Sequence, residues 1–174
     1  NYILRLREPD TGEIDFATFG NIVHKVLEKL YEPFLDKVVN ADCLKQMQAM
    51  SESLLEQVTR TTVMGKNIDT GINRIHLETA KTLLRNYLNA ELKSVEKGNV
   101  ITCIAVEKRL NRSLEIKPEN LIVNFKGSAD KIQRRDGMLE ILDYKTGKVD
   151  AKEIKIKDFS VQSMAKLPKA VQLM

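Results

Sequence analysis

Two aspartates, Asp130 and Asp143, flank a predicted hairpin turn at Asp136-Gly137. An Asp-Gly pair between two apolar runs is a strong signal for a two-residue hairpin loop. Counting outward from that loop places the two aspartates directly opposite each other, with Cβ atoms about 5 Å apart. Opposed carboxylates repel, and a shared proton or a bound cation relieves the repulsion. Oxygen ligands at this spacing suit Mg²⁺ or Mn²⁺.

A lysine, Lys145, follows Asp143 by two residues and therefore projects from the same face of the strand. It can pair with the carboxylates, or stabilise negative charge beside a metal-activated water. The competing interpretation is an ordinary surface ion pair, with Asp130 capping a bend. Against that interpretation, Met138–Leu142 carries apolar residues on both faces, which predicts a central strand covered on both sides.

Two further side chains are candidates for the same site. His24 lies on a predicted helix, with Gly20 one turn before it and Glu28 one turn after it. Gly20 would let the sheet or a substrate approach, which makes His24 a candidate metal ligand or phosphate contact. Glu107, near the end of the first predicted strand, is either a further metal ligand or an ion-pair partner. A histidine with no ligand role is the alternative for His24.

The apolar periodicity predicts helices first and strands afterwards. Apolar residues at helical spacing predict three helices, the last of which ends at Gly98: 16–36, 42–59 and 72–97. The period then changes to two, which predicts strands at 100–109, 121–126 and 138–145, with 127–134 either continuing or following the second of them. We therefore expect one domain with a helical part at 1–98, a sheet that carries the site at 99–147, and a loop with the start of a helix at 148–174.

Composition narrows the protein classes. The chain has 174 residues, 43% of them hydrophobic, and a net charge of +4, which fits a globular domain. Such a mild charge suits solubility as well as it suits a polyanionic partner. Cys43 and Cys103 form no Cys-x-x-Cys pair, which argues against a disulfide scaffold or a cysteine zinc site and favours the cytoplasm. No run is long enough for a membrane span. The missing initiator Met predicts a piece of a longer protein.

Three segments together resemble the RecB-like nuclease domains of the PD-(D/E)XK superfamily, including AddB-like C-terminal domains. They carry a Gly-x-x-x-His helix, a Gly-Ser-x-Asp strand and an Asp-Tyr-Lys-Thr-Gly strand end, and they are Phe19–Glu28, Gly127–Ile132 and Ile141–Gly147. The resemblance implies a restriction-endonuclease-like α/β (α+β) fold with a mixed central sheet flanked by helices. It also implies a Mg²⁺- or Mn²⁺-dependent phosphodiester hydrolase.

The same resemblance assigns roles to individual residues. It implies metal ligation by His24, Asp130, Asp143 and the main-chain carbonyl of Tyr144, with Lys145 orienting or activating the attacking water. Gln172 matches the glutamine of a Gln-x-x-x-Tyr helix whose tyrosine would lie past Met174, so we expect truncation there. Neither cysteine stands where an iron–sulfur ligand would, so no cluster is expected in this chain.

The resemblance also implies partners. The expected partners are DNA and a helicase region of the same or another chain, in recombination and repair, with exonuclease rather than endonuclease action. The lysines that we expect to contact phosphates are Lys126, Lys131, Lys148 and those of the 152–157 stretch. A non-catalytic DNA-binding module and a purely structural cation site are the competing hypotheses.

Overall fold

The computed structural model describes residues 12–116 and 121–147. Within these ranges, three helices and a four-stranded sheet make up the regular structure. In chain order the elements are α1 (Phe16–Tyr31), a 3-10 turn (Glu32–Phe34), β1 (Lys37–Val38), α2 (Ala41–Thr62), α3 (Gly71–Glu96), β2 (Ile101–Ile116), β3 (Leu121–Arg135) and β4 (Met138–Leu142). The prediction of an α/β fold with helices packed on a sheet is confirmed.

The helix ends follow local sequence. The Asp15 carboxylate accepts a hydrogen bond from the Thr18 amide at 2.7 Å, which caps the start of α1. The helix gives way to a 3-10 turn around Pro33, five residues before the predicted end, because proline has no N–H to continue the helical hydrogen bonds. Gly98 follows α3 with φ +98°, a conformation that glycine adopts without strain, as predicted for a C-terminal cap.

The core lies where the helices meet the sheet. One stripe of α1 is buried along its whole length, and the buried faces of α2 and α3 pack against it. Ile101 and Cys103 of β2 close the core from the sheet side. This packing fixes the position of α1 over the strands, so it also fixes the position of His24. None of the helices in the described ranges is both long and apolar enough to cross a membrane.

The sheet order is β1-β2-β3-β4, and these strands all pair antiparallel. The predicted hairpin register is confirmed, with Arg135 opposite Met138 and Lys131 opposite Leu142. Asp136 and Gly137 both have positive φ, as a type I′ turn requires. The two-residue strand β1 was not predicted, because it is too short to produce an alternating pattern. It pairs with Thr102 and Cys103 of β2.

Two strand predictions need correction. The last strand ends at Leu142 rather than at residue 145. It is also the edge strand of the sheet formed by the described residues, with Met138 75% and Leu139 60% exposed, so the prediction of a covered central strand is wrong there. A short apolar run does not reveal whether another layer covers it. β2 runs to Ile116 rather than to residue 109, and it extends together with β3 past the other two strands.

Candidate metal centre

The strand β3 and the segment after β4 meet at Asp130. The Asp130 side chain is only 10% exposed, and its Oδ2 accepts a hydrogen bond from the main-chain N–H of Tyr144 at 2.5 Å. Its other oxygen, Oδ1, lies 3.4 Å from Nδ1 of His24 on α1. Asp130 therefore joins the helix to the end of the hairpin.

The His24 ring also reaches the hairpin end directly. Its Nε2 lies 2.8 Å from the main-chain oxygen of Tyr144. The ring thus contacts two of the oxygen atoms that the resemblance assigns to a metal, the carboxylate of Asp130 and the carbonyl of Tyr144. The sequence-based prediction that helix α1 brings His24 to this position is consistent with these distances.

Glu107 is the third member of the cluster. In the register of β2 and β3 it falls between the pairs Val106–Lys131 and Lys108–Ala129, so it stands opposite Asp130. Its φ is +46°, an unusual backbone conformation for a residue other than glycine inside a strand. Strained residues of this kind cluster at functional sites.

Ligand atoms of His24, Glu107 and Asp130 all lie within 4.8 Å of one another. One imidazole and two carboxylates, with a carbonyl beside them, form a donor set that fits a divalent cation. The carboxylate oxygens suit both Mg²⁺ and Mn²⁺, and the nitrogen ligand suits Mn²⁺ better because it is the softer ion. The residues present therefore fit the metal that the sequence predicted.

Asp143 stands apart from this three-residue cluster. It lies one residue beyond β4, so the predicted direct strand pair with Asp130 is absent, and the Tyr144 amide instead binds Asp130. The Lys145 ammonium lies 2.5 Å from Asp143 Oδ2, which is shielded from solvent and makes no hydrogen bond of good geometry. Asp143 and Lys145 are therefore neighbours, as predicted. Oδ2 of Asp143 remains able to accept a hydrogen bond.

The charges at the site shift each other's protonation. The Asp130 carboxylate raises the pKa of the His24 imidazole, although partial burial opposes this. Burial works against ionisation of Asp130, but the contacts from His24 and the Tyr144 amide outweigh it and hold the pKa of Asp130 below its usual value. Partial burial and then the nearby charges of Asp130 and Glu28 raise the pKa of Glu107. Proximity of these acidic groups favours a bound cation.

An open polar cleft of about 370 Å³ adjoins the cluster. His24 and Glu107 line it together with other residues of α1 and β2, which are Asn21, Lys25, Glu28 and Arg109. A substrate can therefore reach the candidate metal ligands from solvent. The loop after β4 approaches α1 at Gly20, where an added Cβ would lie 3.4 Å from Thr146 Oγ1. That is an ordinary contact, so space alone does not demand glycine there.

A buried polar network supports the site from behind, and sequence analysis missed it. The Lys131 ammonium lies 3.1 Å from Glu91 Oε2, donates to the Tyr87 hydroxyl at 3.2 Å, and sits 3.6 Å above the Tyr31 ring. The Tyr87 hydroxyl is 3.3 Å from that of Tyr144. Lys131 follows Asp130 along β3. The network therefore restrains both Asp130 and Tyr144, whose oxygens lie next to His24.

This network corrects one nucleic-acid prediction. Lys131 is 0% exposed, so it cannot reach a phosphate; alternation along β3 points it into the core while Asp130 points to the cluster. Lys126 is exposed on β3, where contact with nucleic acid stays a prediction. Lys148, Gln172 and the 152–157 stretch lie outside the described residues. Cys103 is buried and Cys43 is half-buried, and both are free thiols.

A family model described as the PD-(D/E)XK nuclease superfamily matches residues 1–174. Neither the curated proteins nor the solved structures contain a significant match.

Proposed function

The chain belongs to the PD-(D/E)XK nuclease superfamily, and from that premise we propose that it is a metal-dependent DNA nuclease of the exonuclease type. Nucleases of this superfamily use divalent metals, typically Mg²⁺. The observation that carries the proposal is the convergence of His24, Glu107 and Asp130 beside an open cleft. The RecB-like resemblance of the sequence supports the finer part: exonuclease action in recombination and repair, alongside a helicase region.

The proposed reaction is hydrolysis of a phosphodiester bond. A water oxygen bonds to phosphorus and gives up a proton to solvent, the bond to the leaving sugar oxygen breaks, and that oxygen takes up a proton from solvent. A divalent cation held by His24, Glu107 and Asp130 would supply Lewis acidity and lower the pKa of the attacking water. The Tyr144 carbonyl, 2.8 Å from His24 Nε2, and Asp143, the residue before Tyr144, are proposed to complete the set.

The protein's own residues have separate parts in this scheme. Lys145, whose ammonium lies 2.5 Å from Asp143, holds a positive charge next to the site and would stabilise the negative charge that grows on the phosphate. The Tyr144 amide fixes one oxygen of Asp130, which leaves the other oriented toward His24. The network behind Tyr144 restricts its movement, and preorganised ligands lower the cost of reaching the reactive geometry.

Cleavage assays test the proposal. End-labelled linear DNA is incubated with Mg²⁺, with Mn²⁺ or with EDTA, beside closed circular DNA. The protein is wild type, Asp130→Asn, Asp143→Asn, or the control Asp69→Asn, which changes an exposed aspartate with one 3.5 Å contact to Arg60. We expect metal-dependent loss of label from linear DNA only, retained in the control and reduced more than about 100-fold in both site variants.

Other outcomes discriminate among the alternatives. Nicking of closed circles would replace exonuclease with endonuclease action. DNA binding without cleavage by the wild type under any of these metals would contradict the nuclease and favour a non-catalytic DNA-binding module. Equal cleavage by wild type and Asp130→Asn would place the reaction elsewhere in the chain.

A further inference from the structure

The hairpin of β2 and β3 projects past the rest of the described sheet. β1 pairs with β2 only at Thr102 and Cys103, and β4 pairs with β3 only over Lys131–Arg135. From the pair Lys108–Ala129 to the pair Ile116–Leu121, the two strands pair with each other alone among the described strands. Within the described part of the chain, both edges of this two-stranded ribbon are therefore unpaired.

The two faces of the ribbon differ in composition. Directly paired residues share a face, and successive pairs alternate between faces. One face, here called the polar face, carries three consecutive same-face pairs, all of exposed residues: Arg109–Ser128, Asn111–Lys126 and Ser113–Asn124. Glu115 and Ile122 end this face at its outer side. The other face carries Lys108, Leu110 and Arg112 of β2.

The polar face has the chemistry of a surface that contacts nucleic-acid backbone. Arginine, lysine, serine and asparagine side chains make most protein contacts to phosphate and sugar oxygens. Same-face residues on a strand recur about every 6.7 Å, so the face offers such groups at regular intervals. Arg109 and Lys126 are both exposed, and neither forms an ion pair with another residue of 12–116 or 121–147.

The polar face is also continuous with the candidate metal centre. Arg109, its innermost residue, lines the same cleft as His24 and Glu107. Glu107 precedes Arg109 by two residues on the same strand, at the root of the ribbon. A strand of nucleic acid lying along the polar face would therefore lead into the cleft. The negative charge of Asp130, Glu107 and Glu28 there would repel phosphate, whereas the ribbon would attract it.

We propose that the polar face of the β2–β3 ribbon binds the sugar–phosphate backbone of a DNA strand and guides it to the metal centre. This inference rests on the proposed nuclease function, because it assumes DNA as the substrate. It assigns backbone contacts to Arg109, Asn111, Ser113, Asn124 and Lys126. The contacts carry no base-specific readout, so binding is independent of sequence and sensitive to salt.

The test uses the opposite face of the same ribbon as its control. Binding of a short fluorescent DNA oligonucleotide is measured by anisotropy at several salt concentrations, in an Asp143→Asn background that prevents cleavage. Arg109→Ala and Lys126→Ala each remove one positive charge from the polar face. Arg112→Ala removes the same charge from the other face, three residues along β2 from Arg109. Long-range attraction changes equally in all three variants, so a difference between them reports contact.

We expect Arg109→Ala and Lys126→Ala each to weaken binding about tenfold and to reduce the salt slope by about one. Arg112→Ala is expected to weaken binding by less than about twofold. Equal weakening by all three variants, or none, overturns the proposal and leaves an acidic protein as the alternative occupant. No binding of DNA by the background protein overturns it as well.

Cleavage assays then separate this inference from the nuclease proposal. If wild type cuts DNA and the three variants bind it alike, the nuclease proposal is retained and the proposed role of the polar face is wrong. If wild type never cuts DNA and the face-dependent binding is present, the nuclease is wrong and the ribbon is a DNA-binding surface.

Discussion

His24 Nε2 lies 2.8 Å from the main-chain oxygen of Tyr144, although 120 residues separate the two in the chain. The same ring lies 3.4 Å from Asp130 through Nδ1. The imidazole thus spans two oxygen groups that are proposed to share a divalent cation. This relationship makes the protonation of His24 and the binding of metal competing events, because a histidine must be unprotonated at the ligating nitrogen.

The first prediction concerns pH. The pKa of His24 is raised in the folded protein. Its contact with Asp130 therefore stabilises the metal-free protein fully below the unfolded pKa of 6.5. This stabilisation is lost as pH rises through the pKa that His24 has in the folded protein. Metal affinity changes in the opposite direction, because the proton must leave. In EDTA, we expect the free energy of unfolding of wild type, relative to that of His24→Gln, to fall as pH rises. The increase in melting temperature that Mn²⁺ produces in wild type should grow over the same pH range.

Thermal unfolding across about pH 5 to 8 checks this prediction, since histidine titrates in that range. Subtracting the His24→Gln curve removes the titration of the groups that do not interact with His24, so the difference reports His24 with Asp130 and Glu107. A Mn²⁺ shift in melting temperature that does not depend on pH would contradict a role for His24 as a ligand.

Lys145 distinguishes a nuclease from a structural cation site. Replacing it with alanine removes a positive charge beside Asp143, so metal affinity should stay the same or increase while turnover falls by more than about 100-fold. Lys45→Ala, at an exposed position of α2, is the matched control. Single-turnover cleavage and Mn²⁺ binding give the two readouts. Unchanged turnover in Lys145→Ala would exclude this lysine from the reaction.

At Glu107, we expect the glycine variant to be more stable than the alanine variant, which is the reverse of the usual order in a strand. At φ +46° a side chain costs about 1 kcal/mol that glycine avoids, so Glu107→Gly should be about 1 kcal/mol more stable than Glu107→Ala. Inside an ordinary strand, glycine would be the less stable of the two. Both variants should bind Mn²⁺ about tenfold more weakly than wild type, because each lacks the carboxylate. Urea unfolding and Mn²⁺ titration measure these effects, and the ordinary order would contradict the strain.

The buried network should matter for stability and for the site together. Lys131→Met leaves the Glu91 carboxylate with Arg135 and Tyr31 but without the fully buried ammonium of Lys131, so we expect a loss of about 3 kcal/mol. Tyr87→Phe removes the hydroxyl between Lys131 and Tyr144 and should cost about 1 kcal/mol. Lys25→Met, at a half-exposed position of α1, should cost less than about 0.5 kcal/mol.

Chemical denaturation of these variants provides the comparison. A Lys131→Met protein as stable as Lys25→Met would mean that the network contributes nothing to folding. Weaker Mn²⁺ binding by Tyr87→Phe would further support its role in holding Tyr144, because phenylalanine preserves the packing and removes one oxygen.

Local sequence signals were enough for much of the fold. The Asp136-Gly137 turn set the register of β3 and β4, and the apolar period located α1, α2 and α3 to within a few residues of their ends, apart from the proline-limited end of α1. His24 and Asp130 could be assigned to one place from the resemblance, and their contact is consistent with it.

What the sequence did not reveal depends on tertiary context. Lys131 was expected at the surface because lysine is rarely buried, and its partner Glu91 lies 40 residues away with no local signal. The positive φ of Glu107 belongs to a strand whose composition is ordinary. The predicted strand pair between Asp130 and Asp143 is absent because β4 ends at Leu142. Beyond that end, the Tyr144 amide donates a hydrogen bond to Asp130.

The most direct test of the metal centre is a Mn²⁺ titration followed by electron paramagnetic resonance, in which free Mn²⁺ gives the signal and bound Mn²⁺ loses it. Wild type and Asp69→Asn should each remove Mn²⁺ at a saturable site that excess Mg²⁺ competes for, while Asp130→Asn should bind more than about tenfold more weakly. Equal Mn²⁺ binding by Asp130→Asn and wild type would contradict a metal centre at His24, Glu107 and Asp130.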